Sequence, residues 1–202
     1  MNLNKLAVVL LSAIMAICMV SCGSGESDSE FEAESSSQTE SEAQLEEVEG
    51  SYADGVFETQ RYTLTVDENK WEYSEDDDVD CTFSYVGNEE DIAYSTASLN
   101  IVSMTSEDFE EQAAEEYAET IEGVYETMDG YEIIDSGSGT LGDYETYCIT
   151  VSYTTDEMTM TINQVIFSKD QTVITISYGA VDEIIDELQE DFDELMYGFE
   201  FK

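Results

Sequence analysis

The sequence predicts an α+β fold, an antiparallel sheet flanked by helices. Three stretches between Tyr144 and Tyr178 carry alternating residues joined by turns so short that adjacent strands must run antiparallel. Two other stretches, around Ile121 and Leu188, repeat apolar residues at spacings of three and four, as helices with one buried stripe do. Along the chain the order is strands, helix, strand meander, helix, strand, which is the order of an α+β domain.

The elements follow from the residues in turn. Gly55 to Gln60 and Tyr62 to Val66 read as strands; Tyr62, Leu64 and Val66 alternate with Thr63 and Thr65. Asp67-Glu68-Asn69-Lys70 is a polar turn before Trp71 and Tyr73, and Glu75 to Asp80 is an acidic loop. Cys81, Phe83 and Tyr85 share one strand face, Gly87 to Asp91 turns the chain, and Ala97 to Met104 is the next strand. Thr105 or Ser106 caps a helix whose positive end attracts Glu107 and Asp108. Its stripe is Phe109, Ala113, Tyr117, Ile121, Val124, Tyr125 and Met128, and Asp129-Gly130 stops it. Tyr131 to Asp135 is a strand and Ser136-Gly137-Ser138-Gly139 a loop. The meander is Tyr144 to Thr154, Met158 to Ser168 and Gln171 to Tyr178, with turns at Thr155-Asp156-Glu157 and Lys169-Asp170. Val173 points opposite to Ile174 and Ile176, so the sheet is expected to be covered on both faces. A second helix is expected from Ala180 to Tyr197, with Val181, Ile184, Ile185, Leu188, Phe192, Leu195 and Met196 inward. Gly198 ends it, and Phe199-Glu200-Phe201 is a last short strand.

The start of the chain is of another kind. Lys5 precedes an apolar run from Leu6 to Val20 broken only by Ser12, which fits an export signal and is shorter than the ~20 residues a bilayer span needs. Met19-Val20-Ser21-Cys22 then resembles the bacterial lipobox: an apolar residue, a tolerant position, a small residue, then cysteine. The resemblance implies removal of residues 1–21 and a diacylglyceryl thioether on Cys22. Cys18 fails the same pattern because the bulky Ile17 precedes it. Two acyl chains anchor stably where one holds weakly, at about 0.8 kcal/mol per buried methylene. The expected location is therefore the outer face of the cell membrane. From Gly23 to Gly50 there are ten acidic residues and no basic one among Ser, Glu and Gly, too little apolar surface to offset ordering entropy. Residues 22–52 are expected to form the anchor and linker, spanning about 30 Å or more. Residues 53–202 are the expected folded domain.

Composition excludes several functions. The formal charge is −44, and about −45 once Lys5 leaves with the signal. Such a chain lacks the Lys and Arg that neutralise nucleic-acid phosphates, and anionic lipid repels it. There is no histidine, so Ser-His and Cys-His nucleophiles, histidine-ligated zinc and the usual neutral-pH base are absent. There is no proline, so turns rest on Gly, Asn, Asp and Ser. Cys81 and Cys148 lie on two predicted strands; two buried free thiols are expected, and a disulfide stays open until their separation is known.

The β-rich start with Tyr62 and Trp71, the central helix, the three-strand meander and the terminal helix running into Phe199-Glu200-Phe201 resemble the PsbP-like superfamily. That group includes a photosystem II extrinsic subunit, a Ran-binding import factor and many bacterial lipoproteins of unassigned role. The resemblance covers roughly residues 53–202, although the proline that members often carry near the tryptophan is missing. It implies an α/β/α sandwich and a non-catalytic interaction module, with no functional residue pattern to carry over.

The candidate chemistry is correspondingly sparse. Glu75, Asp76, Asp77, Asp78 and Asp80 are the densest acidic cluster, but they lack the Gly and terminal Glu of an EF-hand loop, so a solvated loop is expected. No pair stands out as hydrolytic among 39 acidic residues after the linker. Gly137 and Gly139 are not a phosphate loop, since neither a Lys nor a helix follows. The expectation is a membrane-anchored extracytoplasmic binding or accessory module with no catalytic residue, cofactor or metal, its partner an envelope protein or peptide and not nucleic acid. The alternatives are a cation-binding or envelope-stress protein and a carboxylate-dependent hydrolase.

Overall fold

In the computed structural model, residues 50–76, 79–88, 92–105, 113–155 and 158–202 are described. The signal, Cys22 and most of the linker lie outside them, as do Asp77, Asp78 and the predicted start of the first helix.

Tight turns set the pairing. Strands β1 (Ser51–Ala53) and β2 (Val56–Glu58) are joined by Asp54 and Gly55, both at positive φ, as a two-residue hairpin with right-handed strand twist requires. Ser51 and Tyr52, at the end of the expected linker, are thus paired in a sheet. β3 (Tyr62–Thr65) follows, then β4 (Trp71–Ser74), β5 (Cys81–Tyr85), a 3-10 turn at Ile92–Thr96 and β6 (Ser98–Thr105). After α1 (Ala113–Tyr125) come β7 (Tyr131–Leu141), β8 (Tyr144–Thr154), β9 (Thr159–Lys169) and β10 (Thr172–Val181). Asp170 and Gln171, at φ 49° and 64°, form the β9–β10 hairpin, one residue beyond the predicted turn. The chain ends with α2 (Gln189–Tyr197) and β11 (Phe199–Phe201).

All pairing among these strands is antiparallel. A seven-stranded sheet runs β4-β5-β6-β10-β9-β8-β7, and a four-stranded sheet runs β1-β2-β3-β11. The large sheet is covered on both faces, as the alternation predicted. Ile174, Ile176 and Phe167 join Phe57, Leu64 and Phe199 of the small sheet and Phe192, Leu195 and Met196 of α2 in one core. Val173, Ile149, Val151, Ile162 and Ile166 point the other way, onto Tyr117, Ala118, Ile121 and Tyr125 of α1. The two helices therefore lie on opposite faces of the large sheet, in an α+β sandwich.

Two predicted elements are corrected. Ser136-Gly137-Ser138-Gly139 is not a loop: β7 continues through it to Leu141, because β8 supplies a backbone partner for each residue. The second helix does not begin at Ala180. Ala180 and Val181 pair with Thr161 and Met160 of β9, turns follow, and the helix proper starts at Gln189. Ladder bonds to β9 win over the helical periodicity, while Ile184, Ile185 and Leu188 still bury into the first core. At Gly179 a Cβ would lie 2.6 Å from the Thr161 carbonyl oxygen, so only glycine fits there.

Candidate functional site

The acidic run after β4 is divided by the fold. Glu75 and Asp76 are exposed, and Asp77 and Asp78 lie outside the described residues. Asp80 turns inward, where the Tyr62 hydroxyl donates to its carboxylate at 2.9 Å. Burial raises the Asp80 pKa, against opposing hydrogen bonds from Ser103 and Tyr62 and the charge of Arg61. Beside it the Cys81 thiol is wholly buried, and desolvation first, then the Asp80 charge, hold its pKa well above the ordinary thiol value.

Cys81 and Cys148 are both free, the first buried and the second half-buried. They stand on β5 and β8, four strand spacings apart across the sheet, or about 19 Å, far beyond disulfide reach. The fold also buries a polar row that the sequence reading missed. Thr82, Asn100, Ser177 and Gln164 stand side by side on β5, β6, β10 and β9. The Thr82 hydroxyl donates to Asn100 at 2.7 Å, and the Gln164 amide donates to Ser177 at 3.0 Å.

The four basic residues of the described domain all make contacts within it. Lys70 Nζ lies 2.6 Å from Asp191 and 2.7 Å from Glu194, tying the turn before β4 to α2. Those hydrogen bonds hold its pKa well above the lysine range. Asp191 also accepts from the Tyr85 hydroxyl at 2.9 Å, and burial, then that bond, pushes the Tyr85 phenol up to about 12. Lys202 Nζ lies 2.6 Å from Glu58 and donates to the Thr59 carbonyl. Lys169 sits 5.1 Å over the Phe201 ring, and Arg61 lies near Asp80. Positive charge is thus spent on closing the small sheet and α2. Between Lys70 and Lys169 the sequence has no basic residue at all.

That acidic half contains α1, β7 and β8, with β7 at the edge of the large sheet. Glu132, Ile134, Asp135, Ser136, Ser138 and Thr140 of this strand are exposed. A bulge between Ile133 and Asp135 leaves Ile134 58% exposed. At the strand's start, Tyr131 stacks on Tyr153 of β8 with ring centroids 4.5 Å apart, and both are half-buried. The arrangement is a strand edge bordered by carboxylates, with an aromatic pair and one apolar side chain at its start. It presents backbone hydrogen-bonding groups and negative charge.

No family model matches the sequence, and no curated protein matches it significantly. Among solved structures, that of LpqN, involved in cell envelope biogenesis of Mycobacterium tuberculosis, is similar at 16% identity and a TM-score of 0.51, covering 70% of this chain and 83% of that one. The two share a fold. The solution structure of cyanobacterial PsbP from Synechocystis sp. PCC 6803 is similar at 13% identity and a TM-score of 0.49, over 70% of this chain and 86% of that one. The Ran-binding protein Mog1p of Saccharomyces cerevisiae is similar at 12% identity and a TM-score of 0.45, over 69% and 89%.

Proposed function

We propose that this chain is a lipid-anchored, extracytoplasmic module of the bacterial cell envelope, of PsbP-like type, which binds a protein or peptide partner and catalyses nothing. The observation that carries the reading is the distribution of charge. All four described bases are engaged inside the domain, so the rest of the surface presents carboxylates that select partners by sign. Two further observations support it. The lipobox at Met19-Val20-Ser21-Cys22 supplies a membrane anchor, and the fold is shared with LpqN, a protein involved in cell envelope biogenesis. Asp191 and Glu194, a carboxylate pair on one helix, converge on Lys70, where the lysine occupies them.

The test is fractionation of cells expressing the full chain or Cys22→Ser, with chemical cross-linking before lysis. Native protein is expected in the membrane fraction, cross-linked to a discrete envelope partner. Cys22→Ser is expected in the medium or unprocessed. Membrane retention of Cys22→Ser at mature size would refute the anchor, and the absence of any specific cross-link would refute the binding role.

A further inference from the structure

We infer that the free edge of β7 is a β-addition site for an extended, cationic peptide segment. The inference rests on the binding-module reading and gives that module a surface and a partner class.

Backbone geometry comes first. An edge strand presents a row of N–H and C=O groups that another strand can pair with. Among the described residues β7 pairs with β8 alone. Edges are commonly blunted by Lys, Pro, short length or bulges. β7 has eleven residues and carries neither Lys nor Pro. Its bulge lies near the start, and from Asp135 to Leu141 the register with β8 is unbroken. Ser136, Gly137, Ser138 and Gly139 keep that stretch low in side-chain bulk, and around the Cβ position of Gly137 nothing stands within 4 Å. A second chain can approach the backbone closely there. Ile134 is one of two large hydrophobic residues that are exposed among those described, and the other, Tyr197, is on α2. It stands beside the unbroken stretch as an apolar contact for an added strand.

Charge then selects the occupant. Glu132 and Asp135 are exposed on the strand, and Asp129, Asp143 and Glu145 are exposed at its two ends. A second copy of this chain, paired edge to edge, would bring two such sets of carboxylates together. The linker from Gly23 to Gly50, with ten acidic residues and no basic one, meets the same repulsion. An extended segment with Lys or Arg at alternate positions gains ladder hydrogen bonds and opposite charge together.

The test uses the full chain in neutral detergent and a fluorescent nine-residue peptide of alternating Lys and Val. Controls are the same peptide N-methylated at alternate backbone nitrogens and a charge-reversed analogue in which every Lys is Glu and every Val is kept. The protein variant is Ile134→Lys with Ser138→Lys, both exposed positions, with thermal unfolding as the check on folding. The Lys peptide is expected to bind, and N-methylation or the double substitution to weaken it by about tenfold or more. The Glu peptide is expected not to bind. Equal binding of the N-methylated peptide would reduce the effect to charge alone and overturn the inference. So would failure of the Lys peptide to bind, or sedimentation showing that β7 edges pair between copies. If wild type and the double variant cross-link the same envelope partner equally well, the binding module stands and the β7 assignment falls.

Discussion

At the scale of single residues, Asp80 shows how burial changes the meaning of a carboxylate. In sequence it is one of five acids in a run; in the fold it accepts a hydrogen bond from Tyr62 beside the buried Cys81. Its pKa is raised above the ordinary 3.8, with burial as the largest cause. A raised folded value means that the protonated form is favoured on folding. The corresponding stability is fully present below the unfolded pKa and is lost as pH rises through the folded one. Wild type is therefore expected to gain more stability than Asp80→Asn on acidification from neutrality to about pH 4, read by urea unfolding of both at each pH. The other carboxylates relax in both proteins, so the difference isolates Asp80. Equal gains would show that Asp80 titrates alike in the folded and unfolded chains.

At the scale of elements, legibility followed side-chain pattern. β8, β9 and β10 could be read because Ile149, Val151, Val173, Ile174 and Ile176 announce their faces by alternation. Ser136 to Gly139 gave no such signal, since serine and glycine have little to bury, and their strand conformation comes from partners on the next strand, from Ile149 opposite Ser136 to Thr146 opposite Gly139. Ala180 and Val181 fit a helical stripe equally well, and only the ladder to β9 decides them. The candidate edge was hidden for the same reason: sequence shows strands, whereas which strand is outermost is a property of the assembled sheet. Gly179 tests the packing of that ladder. Gly179→Ala places a methyl against the Thr161 carbonyl and Ile162, and is expected to cost about 1–3 kcal/mol in denaturant unfolding. A cost near zero would mean that β9 and β10 separate more easily than their register implies.

At the scale of the whole molecule, charge dominates. The few bases make their contacts with the small sheet, its flanking residues and α2, and the formal net charge is −44. Self-repulsion of that size destabilises a compact state, and salt screens it over a Debye length of about 8 Å at physiological ionic strength. Melting temperature is accordingly expected to rise with added sodium chloride, because screening the many repulsions outweighs weakening the bridges of Lys70 and Lys202. A fall would mean that those few bridges matter more than the field. The same field works against binding of nucleic acid and anionic lipid, which fits the proposed reading that a covalent lipid holds the domain at a membrane. Among the described residues no helix is long and apolar enough to cross one.

In the proposed reading, display on the outside of the membrane decides which molecules the acidic surface can meet, and that display depends on the sulfur of Cys22. Intact-mass spectrometry of the protein extracted from its native membrane addresses that directly. The expected species begins at Cys22 and carries a diacylglyceryl group there. A species retaining Met1, or one beginning at Cys22 with an unmodified thiol, would contradict it.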